Sequence, residues 1–135
     1  MLFKLLAEGG FVGHIHVADA FSNHAPEFFQ NVPKKQIRLV DAGAGTGKVA
    51  ARLKEHGYTN IDALDISQDM LNVAKEKKLY QNLVCLPVEK AGEQIGSGQY
   101  DALISSALIT PGQLQASHLI DLIRLAKIGE YKGQI

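Results

Sequence analysis

Two carboxylates that each end an apolar segment are the residues best placed for chemistry. Asp41 follows residues 37–40 and leads into residues 42–47, which read AGAGTG, and Asp65 ends the apolar segment that begins at residue 61. Glycine at alternate positions lets the chain turn tightly and lets a ligand approach the backbone. The free N–H groups at the start of a following helix face the same space. The sequence therefore predicts a ligand site at this turn, with acidic groups beside it.

The segments around the turn alternate between short apolar runs and helical patterns. The runs lie at residues 37–40, 61–65, 83–86 and 100–106, and the helical patterns at about 47–56, 67–78, 88–95 and 110–126. Strands that alternate with helices through short links form right-handed βαβ units and a parallel sheet covered on both faces. This predicts an α/β domain over residues 34–135, with ligands at the carboxyl ends of its strands. For residues 1–33 we expect an N-terminal helical or lid segment that begins with a short helix over residues 1–9.

The composition indicates one compact domain rather than a disulfide scaffold. The chain has 135 residues, 46% of them hydrophobic, with 14 Lys and Arg balanced by 14 Asp and Glu. Neutral charge and the lack of basic runs argue against nucleic-acid binding. The N-terminal apolar stretch is too short for a signal peptide or a membrane span. The single cysteine, Cys85, lies in an apolar run, which predicts a buried thiol in a cytoplasmic protein.

Histidines near the N-terminus are the candidate metal ligands. His14 and His16 have the i, i+2 spacing that places two side chains on one face of a strand, and Asp19 or His24 would be the further ligands. No cysteine or helical histidine pair completes a recognised set. We therefore predict no metal site. The sequence also shows no Ser-His-Asp or Cys-His nucleophile set.

Two phosphate-binding motifs can be compared with the glycine turn. A P-loop does not fit, because Ala42 stands where that motif needs glycine and Val49 where it needs Ser or Thr. The dinucleotide fingerprint G-x-G-x-x-A matches residues 45–50, with Asp65 twenty residues after its first glycine. An NAD-dependent oxidoreductase is therefore an alternative that the residues leave open.

The position of Asp41 favours a different class of ligand. A carboxylate about 5 Å from a pyrophosphate would cost about 3 kcal/mol at an effective dielectric constant of 20. A ligand that has no phosphate and carries a positive charge reverses the sign of this interaction. Asp41 therefore favours a cationic nucleoside over a dinucleotide.

Two motifs in order carry a resemblance to a known family. Residues 40–47, VDAGAGTG, resemble the first motif of class I S-adenosylmethionine (SAM)-dependent methyltransferases, hydrophobic-D/E-x-G-x-G-x-G. Residues 65–71, DISQDML, resemble the second-strand segment of that family, D-x-S-x-x-M-L. The wider stretches, KKLYQNLVCLPVE and GQYDALISSALITPGQL, are similar to the methyltransferase-like proteins of the Williams–Beuren region. The resemblance covers about residues 34–128 and implies a Rossmann-like sheet, SAM as cofactor and S-adenosylhomocysteine (SAH) as product.

The resemblance also implies roles for residues of the glycine turn. Gly43, Gly45 and Gly47 would pack against the amino-acid tail of SAM, with Asp41 near its ammonium group, directly or through water. Asp65 would accept hydrogen bonds from the ribose hydroxyls. Two vicinal hydroxyl donors suit one carboxylate, which makes this role physically reasonable.

Further residues are implied at the adenine and at the methyl group. Ile66 and Met70 would flank the adenine, and Glu89 would read its amine. Ser105, with Ser106 beside it, lies at the end of the fourth predicted strand, where the methyl group should face its acceptor. The sequence lacks the N/D-P-P-Y/F motif of enzymes that methylate nucleic-acid bases, so we expect a small-molecule acceptor.

The chain departs from the family after its fourth predicted strand. Class I methyltransferases continue into three further strands, so the resemblance implies a sheet truncated after about the fourth strand and its helix. The edge of that strand would expose unpaired backbone groups. We therefore expect either a homo-oligomer paired through this edge or a shortened form of a longer enzyme. A catalytically silent SAM-binding fragment that acts as an interaction module is a further alternative.

Overall fold

The computed structural model describes residues 2–4, 13–106 and 116–127 of the chain. Its strands are β1 (Leu2–Lys4), β2 (Leu39–Ala42), β3 (Ile61–Asp65), β4 (Asn82–Cys85) and β5 (Ala102–Ser105). Its α-helices are α1 (Gly13–Phe28), α2 (Lys48–Glu55), α3 (Gln68–Glu76), α4 (Val88–Ile95) and α5 (Ala116–Ile123), and Lys34–Gln36 form one turn of 3-10 helix. The alternation predicted from residue 37 onward is confirmed, with Ser67 capping α3 by accepting a hydrogen bond from the Met70 N–H at 3.3 Å. The predicted helix start at residues 110–113 lies outside the described residues.

The sheet is parallel, and its strand order places β2 in the middle. The order is β1-β5-β2-β3-β4, with every pair parallel. Strand β2 is therefore flanked by β3, which follows it in the chain, and by β5, which comes much later. Such a reversal of strand order opens a crevice at the carboxyl ends of the strands. Asp41 and the glycine turn lie at this point, which confirms the predicted α/β fold.

Helices cover both faces of the sheet. On one face, α1 and α2 pack on Leu39, Ile61 and Ile104; on the other, α4 and α5 pack on Val40 and Leu103. Alternate residues of β2 point to opposite faces, as the pleat requires. Asp41 therefore shares the face of Leu39, beneath α2. None of the helices in residues 13–106 and 116–127 combines the length and the apolarity that a membrane span needs.

A strand from the N-terminal segment covers β5. Leu2–Lys4 pair in parallel with residues 103–105, so the predicted helix over residues 1–9 is wrong at these residues. The expectation that β5 forms an exposed edge is also wrong, and the edge no longer calls for a second subunit. The physical reason is that an open strand edge offers a row of hydrogen-bonding groups. Pairing with that row overrides the weak helical preference of a short segment.

Side-chain burial differs from place to place along α3 and β4. Met70 and Val73 are 46% and 45% exposed, whereas Leu71 on the same helix is buried. Cys85 is exposed rather than buried, because among the described residues β4 is the edge strand and has a strand neighbour on one side only. Phe21, within the segment predicted to be helical or a lid, lies fully in the core, where its ring meets that of Tyr58 edge to face at 5.1 Å.

Candidate functional site

The glycine turn after β2 needs glycine for two different reasons. Gly43, Gly45 and Gly47 have φ of 74°, 57° and 96°, a region that other residues rarely adopt. A Cβ at Gly47 would lie 2.9 Å from Leu79 Cδ1, whereas a Cβ at Gly45 would meet no atom within 4 Å. The lack of a side chain at Gly47 thus allows Leu79 to pack beneath the turn. Gly45 leaves open space above it.

Asp65 holds the turn and the start of α3 together. Its Oδ2 accepts a hydrogen bond from the Gly45 N–H at 2.8 Å, and its Oδ1 accepts one from the Ser67 N–H at 2.8 Å. Each carboxylate oxygen has a second lone pair that can accept a further donor. The carboxylate therefore has a structural role at the turn and retains the capacity to accept ribose hydroxyls.

Asp41 is a buried carboxylate with only one of its oxygens satisfied. Its side chain is 1% exposed, and its Oδ2 accepts a hydrogen bond from the Tyr80 hydroxyl at 2.6 Å. Its Oδ1 has no hydrogen-bond partner among the described residues. Burial raises the pKa of Asp41 to about 7; the Tyr80 hydrogen bond opposes this rise, and the charge of Asp65 adds to it. A buried acceptor without a donor is unfavourable, so Oδ1 of Asp41 retains the capacity to accept a further donor.

Sequence reasoning missed the segment that supports the turn from below, residues 77–80. The Lys77 ammonium donates to the Thr46 carbonyl at 2.9 Å, and the side chain of Leu79 lies under Gly47. Tyr80, in the same segment, holds Asp41. This segment lies within the stretch KKLYQN that carries the family resemblance, but only the fold shows that it lies beneath the turn.

A cavity of about 560 Å³ opens at the carboxyl ends of the strands, over the glycine turn. Its lining residues come from α1, the turn, α2, α3 and the end of β5: Gly13, His14, Gly43, Ala44, Gly45, Thr46, Lys48, Val49, Met70 and Ser106. Gly43, Gly45 and Met70 were predicted to contact the ligand. Ser106 was predicted to lie where the methyl group faces its acceptor, whereas His14, which also lines the cavity, was predicted to be an ordinary loop residue. The size is in the range of small-molecule and cofactor sites.

The other predicted site residues lie outside the cavity lining. Asp41 and Asp65 lie behind and beside the turn. Ile66 is 71% exposed, and Glu89 is exposed in the first turn of α4. Ser105 is buried at 3% exposure, so Ser106, not Ser105, reaches the cavity.

Asp19, one of the candidate metal ligands near the N-terminus, instead pairs with two side chains of the α2 region. Asp19 accepts two hydrogen bonds from Arg52, at 2.8 and 3.1 Å, and contacts His56 Nε2 at 2.6 Å. The hydrogen bonds of Arg52 and then of His56 lower the pKa of Asp19 to about 2. Within the described part of the chain, no three His, Cys, Asp or Glu side chains are grouped as metal ligands. Asp19 therefore joins α1 to α2.

A second Tyr–Asp pair lies at the opposite end of the sheet. Asp62 is buried near the start of β3 and accepts hydrogen bonds from the Tyr100 hydroxyl at 2.9 Å, from Asn82 at 3.0 Å and from Arg38 at 3.2 Å. The Arg38 guanidinium also lies 4.9 Å from the centre of the Tyr100 ring. Unlike Asp41, Asp62 forms an ion pair with Arg38 and accepts a hydrogen bond on each of its two oxygens.

The sequence matches one family model over the strands and helices that build this site. A model described as "Methyltransferase domain" matches residues 39–127, about two thirds of the chain. The chain belongs to this family. The recognition of a methyltransferase from its two motifs is thereby confirmed.

Curated relatives of this methyltransferase domain are longer proteins. The ribosomal protein L11 methyltransferase of Lactobacillus acidophilus is 32% identical over 66% of this chain and 26% of its own length. Methyltransferase-like protein 27 of Homo sapiens is 28% identical over 67% of this chain and 37% of its own. This second relative represents the Williams–Beuren subgroup that the sequence resembles, and the match to it is weak. The chain spans about a quarter to three fifths of the lengths of the curated relatives it matches.

Solved methyltransferases share the fold of this domain. The magnesium protoporphyrin IX methyltransferase of Synechocystis PCC 6803, solved with bound SAM, gives a TM-score of 0.62 at 21% identity, over 89% of this chain and 61% of that chain. The likeness confirms the predicted Rossmann-like sheet of the class I methyltransferase type. These comparisons do not favour an NAD-dependent oxidoreductase.

Proposed function

We propose that this methyltransferase domain binds SAM over the glycine turn and takes part in methyl transfer to a small-molecule acceptor. The observation that carries the proposal is the cavity of about 560 Å³ over the turn. Asp41 lies behind this turn, and its Oδ1 has no partner in the part of the chain that the structure describes. The solved relative described above was crystallised with SAM. A cation suits this carboxylate, whereas a pyrophosphate would be repelled by it.

The residues present fit the chemistry of SAM. Gly45 leaves space for a ligand against the backbone, and Asp41 offers a buried acceptor for an ammonium group. Asp65 retains lone pairs for ribose hydroxyls next to the same turn. Ile66 and Met70 are apolar and exposed beside it, as adenine contacts would need to be before a ligand binds. Glu89 is exposed on α4 and is retained as a proposed contact to the adenine amine.

Bound SAM supplies a methyl group already activated by the positive sulfur. The chain therefore has to bind, orient and exclude water, because positioning alone can lower a barrier by about 7 to 11 kcal/mol. Ser106 and His14 are the polar side chains that α1 and the end of β5 bring to the cavity. A general base is required only if the acceptor must lose a proton, and the imidazole of His14 is a side chain of the lining that could accept it.

A small-molecule acceptor is supported by the volume of the cavity rather than by the names of relatives. The relatives above act, by their names, on a ribosomal protein and on a porphyrin, so they do not point to one acceptor class. A cavity of about 560 Å³ suits a cofactor together with a compact acceptor.

Calorimetry with SAH and with NADH tests the proposed cofactor. We expect SAH to bind and NADH not to bind; tight NADH binding without SAH binding would contradict the proposal. Incubation with methyl-labelled SAM and a small-molecule extract, followed by detection of labelled product, then tests turnover. SAH binding with no labelled product would support the silent SAM-binding fragment instead.

A further inference from the structure

The two oxygens of the buried Asp41 carboxylate differ in their contacts, because Tyr80 donates to only one of them. Oδ2 accepts the Tyr80 hydroxyl at 2.6 Å, and Oδ1 has no partner among the described residues. The distance is typical of a strong hydrogen bond from a hydroxyl to a carboxylate. The carboxylate therefore has one oxygen that the protein fixes and one that is left for another donor.

The ring of Tyr80 is held in place by the same turn that it supports. A Cβ at Gly47 would lie 3.4 Å from the Tyr80 ring, so the ring packs directly under the turn. Lys77 and Leu79 attach the same segment to Thr46 and to Gly47. Tyr80 is also packed against the core that α1 and α2 form. Its hydroxyl is therefore fixed by packing before any ligand binds.

We propose that Tyr80 is a positioning residue for the cofactor: its hydroxyl holds Asp41 so that Oδ1 is kept for the ammonium group of the amino-acid tail, directly or through one water. This inference rests on the proposed function. The groups that bear electrostatically on Asp41 are Tyr80 and Asp65. Since Asp65 repels a charged Asp41, Tyr80 is the donor that favours its ionised form.

The inference distinguishes ligands that have the amino-acid tail from ligands that lack it. SAH has the tail, whereas 5'-methylthioadenosine has the same adenosine and a thioether but no tail. The substitution Tyr80→Phe leaves the ring under the turn and removes only the hydroxyl. We expect it to weaken SAH binding about tenfold, the usual scale of one hydrogen bond to a charged group. Binding of 5'-methylthioadenosine should stay within about twofold of wild type, because adenosine contacts do not involve Asp41.

The matched control is Tyr100→Phe. It makes the same chemical change and removes the same type of bond, Tyr hydroxyl to buried Asp at 2.9 Å, at the opposite end of the sheet. We expect it to leave the affinities of both ligands unchanged. Calorimetry of both ligands on wild type and both variants, with thermal unfolding as a check of folding, completes the set.

The outcomes separate the inference from the function on which it rests. Unchanged SAH affinity in Tyr80→Phe, or equal weakening of SAH and 5'-methylthioadenosine, overturns the positioning role while SAM binding stands. Wild-type protein that binds neither ligand overturns both. If Tyr80→Phe does not fold, Asp41→Asn is compared with the double variant D41N/Y80F. Equal SAH affinities then support action through Asp41, and a further loss in the double variant overturns it.

Discussion

The substitution Asp41→Asn is expected to stabilise the ligand-free protein and to weaken its binding of SAH. Burial raises the pKa of Asp41 from 3.8 to about 7, a rise of roughly three units, each worth about 1.4 kcal/mol. Because the folded pKa is the higher one, the folded state binds an extra proton between these two pH values. Stability therefore falls as pH rises from about 4 to 7, and the ionised carboxylate costs about 4 kcal/mol above pH 7. Asparagine removes this charge and keeps an acceptor for Tyr80.

The expected gain is smaller than the full electrostatic term. An asparagine amide at this buried position lacks a partner for its N–H groups, which offsets about 1 to 3 kcal/mol. We expect the free energy of unfolding at pH 8 to rise by about 2 kcal/mol. Near pH 4, where folded wild-type Asp41 is neutral, the sign should reverse, because only the cost of about 1 to 3 kcal/mol for the unpaired amide remains. Urea denaturation at the two pH values measures both quantities.

Ligand binding should show the opposite effect. An ammonium-bearing ligand prefers ionised Asp41, so the SAH affinity of wild type should rise about tenfold from pH 6 to pH 8 and level off above pH 7. Asp41→Asn should bind SAH more weakly at pH 8, with no such pH dependence. Calorimetry at pH 6, 7 and 8 measures this.

The control for the stability argument is Asp62→Asn. Asp62 is equally buried, but it accepts from Arg38, Tyr100 and Asn82. Both Asp62 oxygens accept hydrogen bonds, so the NH2 group of an asparagine would face a donor in a buried site, and the substitution should destabilise the protein at pH 8. If Asp41→Asn destabilises the protein as Asp62→Asn does, the reasoning from an uncompensated buried charge is wrong.

Three further variants test the turn and the helix pair. Asp65→Ala should weaken SAH binding by about 1 to 3 kcal/mol, measured by calorimetry, and unchanged affinity would rule out a ribose contact. Gly47→Ala places a Cβ 2.9 Å from Leu79 Cδ1 at a φ of 96° and should lower the melting temperature more than Gly98→Ala, which has a φ of 67° and open space. Asp19→Asn should lower the melting temperature at pH 7, because the lowered pKa of Asp19 stabilises the fold above about pH 4 and loses this effect as pH falls to about 2. A variant that stays less stable than wild type by a constant amount down to pH 2 would contradict this origin.

Local patterns predicted the central elements well because each is bounded by strong signals. The strand Ile61–Asp65 and the helix Val88–Ile95 have the bounds that the sequence predicts. Apolar residues between a polar start and an acidic end define the first, and Pro87 and Gly96 bracket the second. Such signals lie within a few residues of the element and need no knowledge of the fold.

Features that depend on contacts distant in sequence were not predictable in this way. The strand Leu2–Lys4 exists through its pairing with β5, and Cys85 is exposed because of its place in the strand order. The contact between Tyr80 and Asp41 spans 39 residues. The sequence did not show whether Ser105 or Ser106 reaches the cavity. Neighbouring residues of a strand point to opposite faces, so the answer depends on the exact register of β5. The predicted cytoplasmic location and the absence of a nucleic-acid partner stay predictions.

The pairing of β1 with β5 has a consequence for the order in which the molecule assembles. Leu2 meets Leu103, so this contact closes a loop of about a hundred residues for three residue pairs, whereas β2 and β3 meet across about twenty. Contacts of such long range form late, after the local βαβ units. During synthesis β1 leaves the ribosome about a hundred residues before β5, so it has to wait for β5 before it has this partner. Until the two strands pair, each offers an open edge that can associate with strands of neighbouring chains, so dilute refolding should favour the correct product.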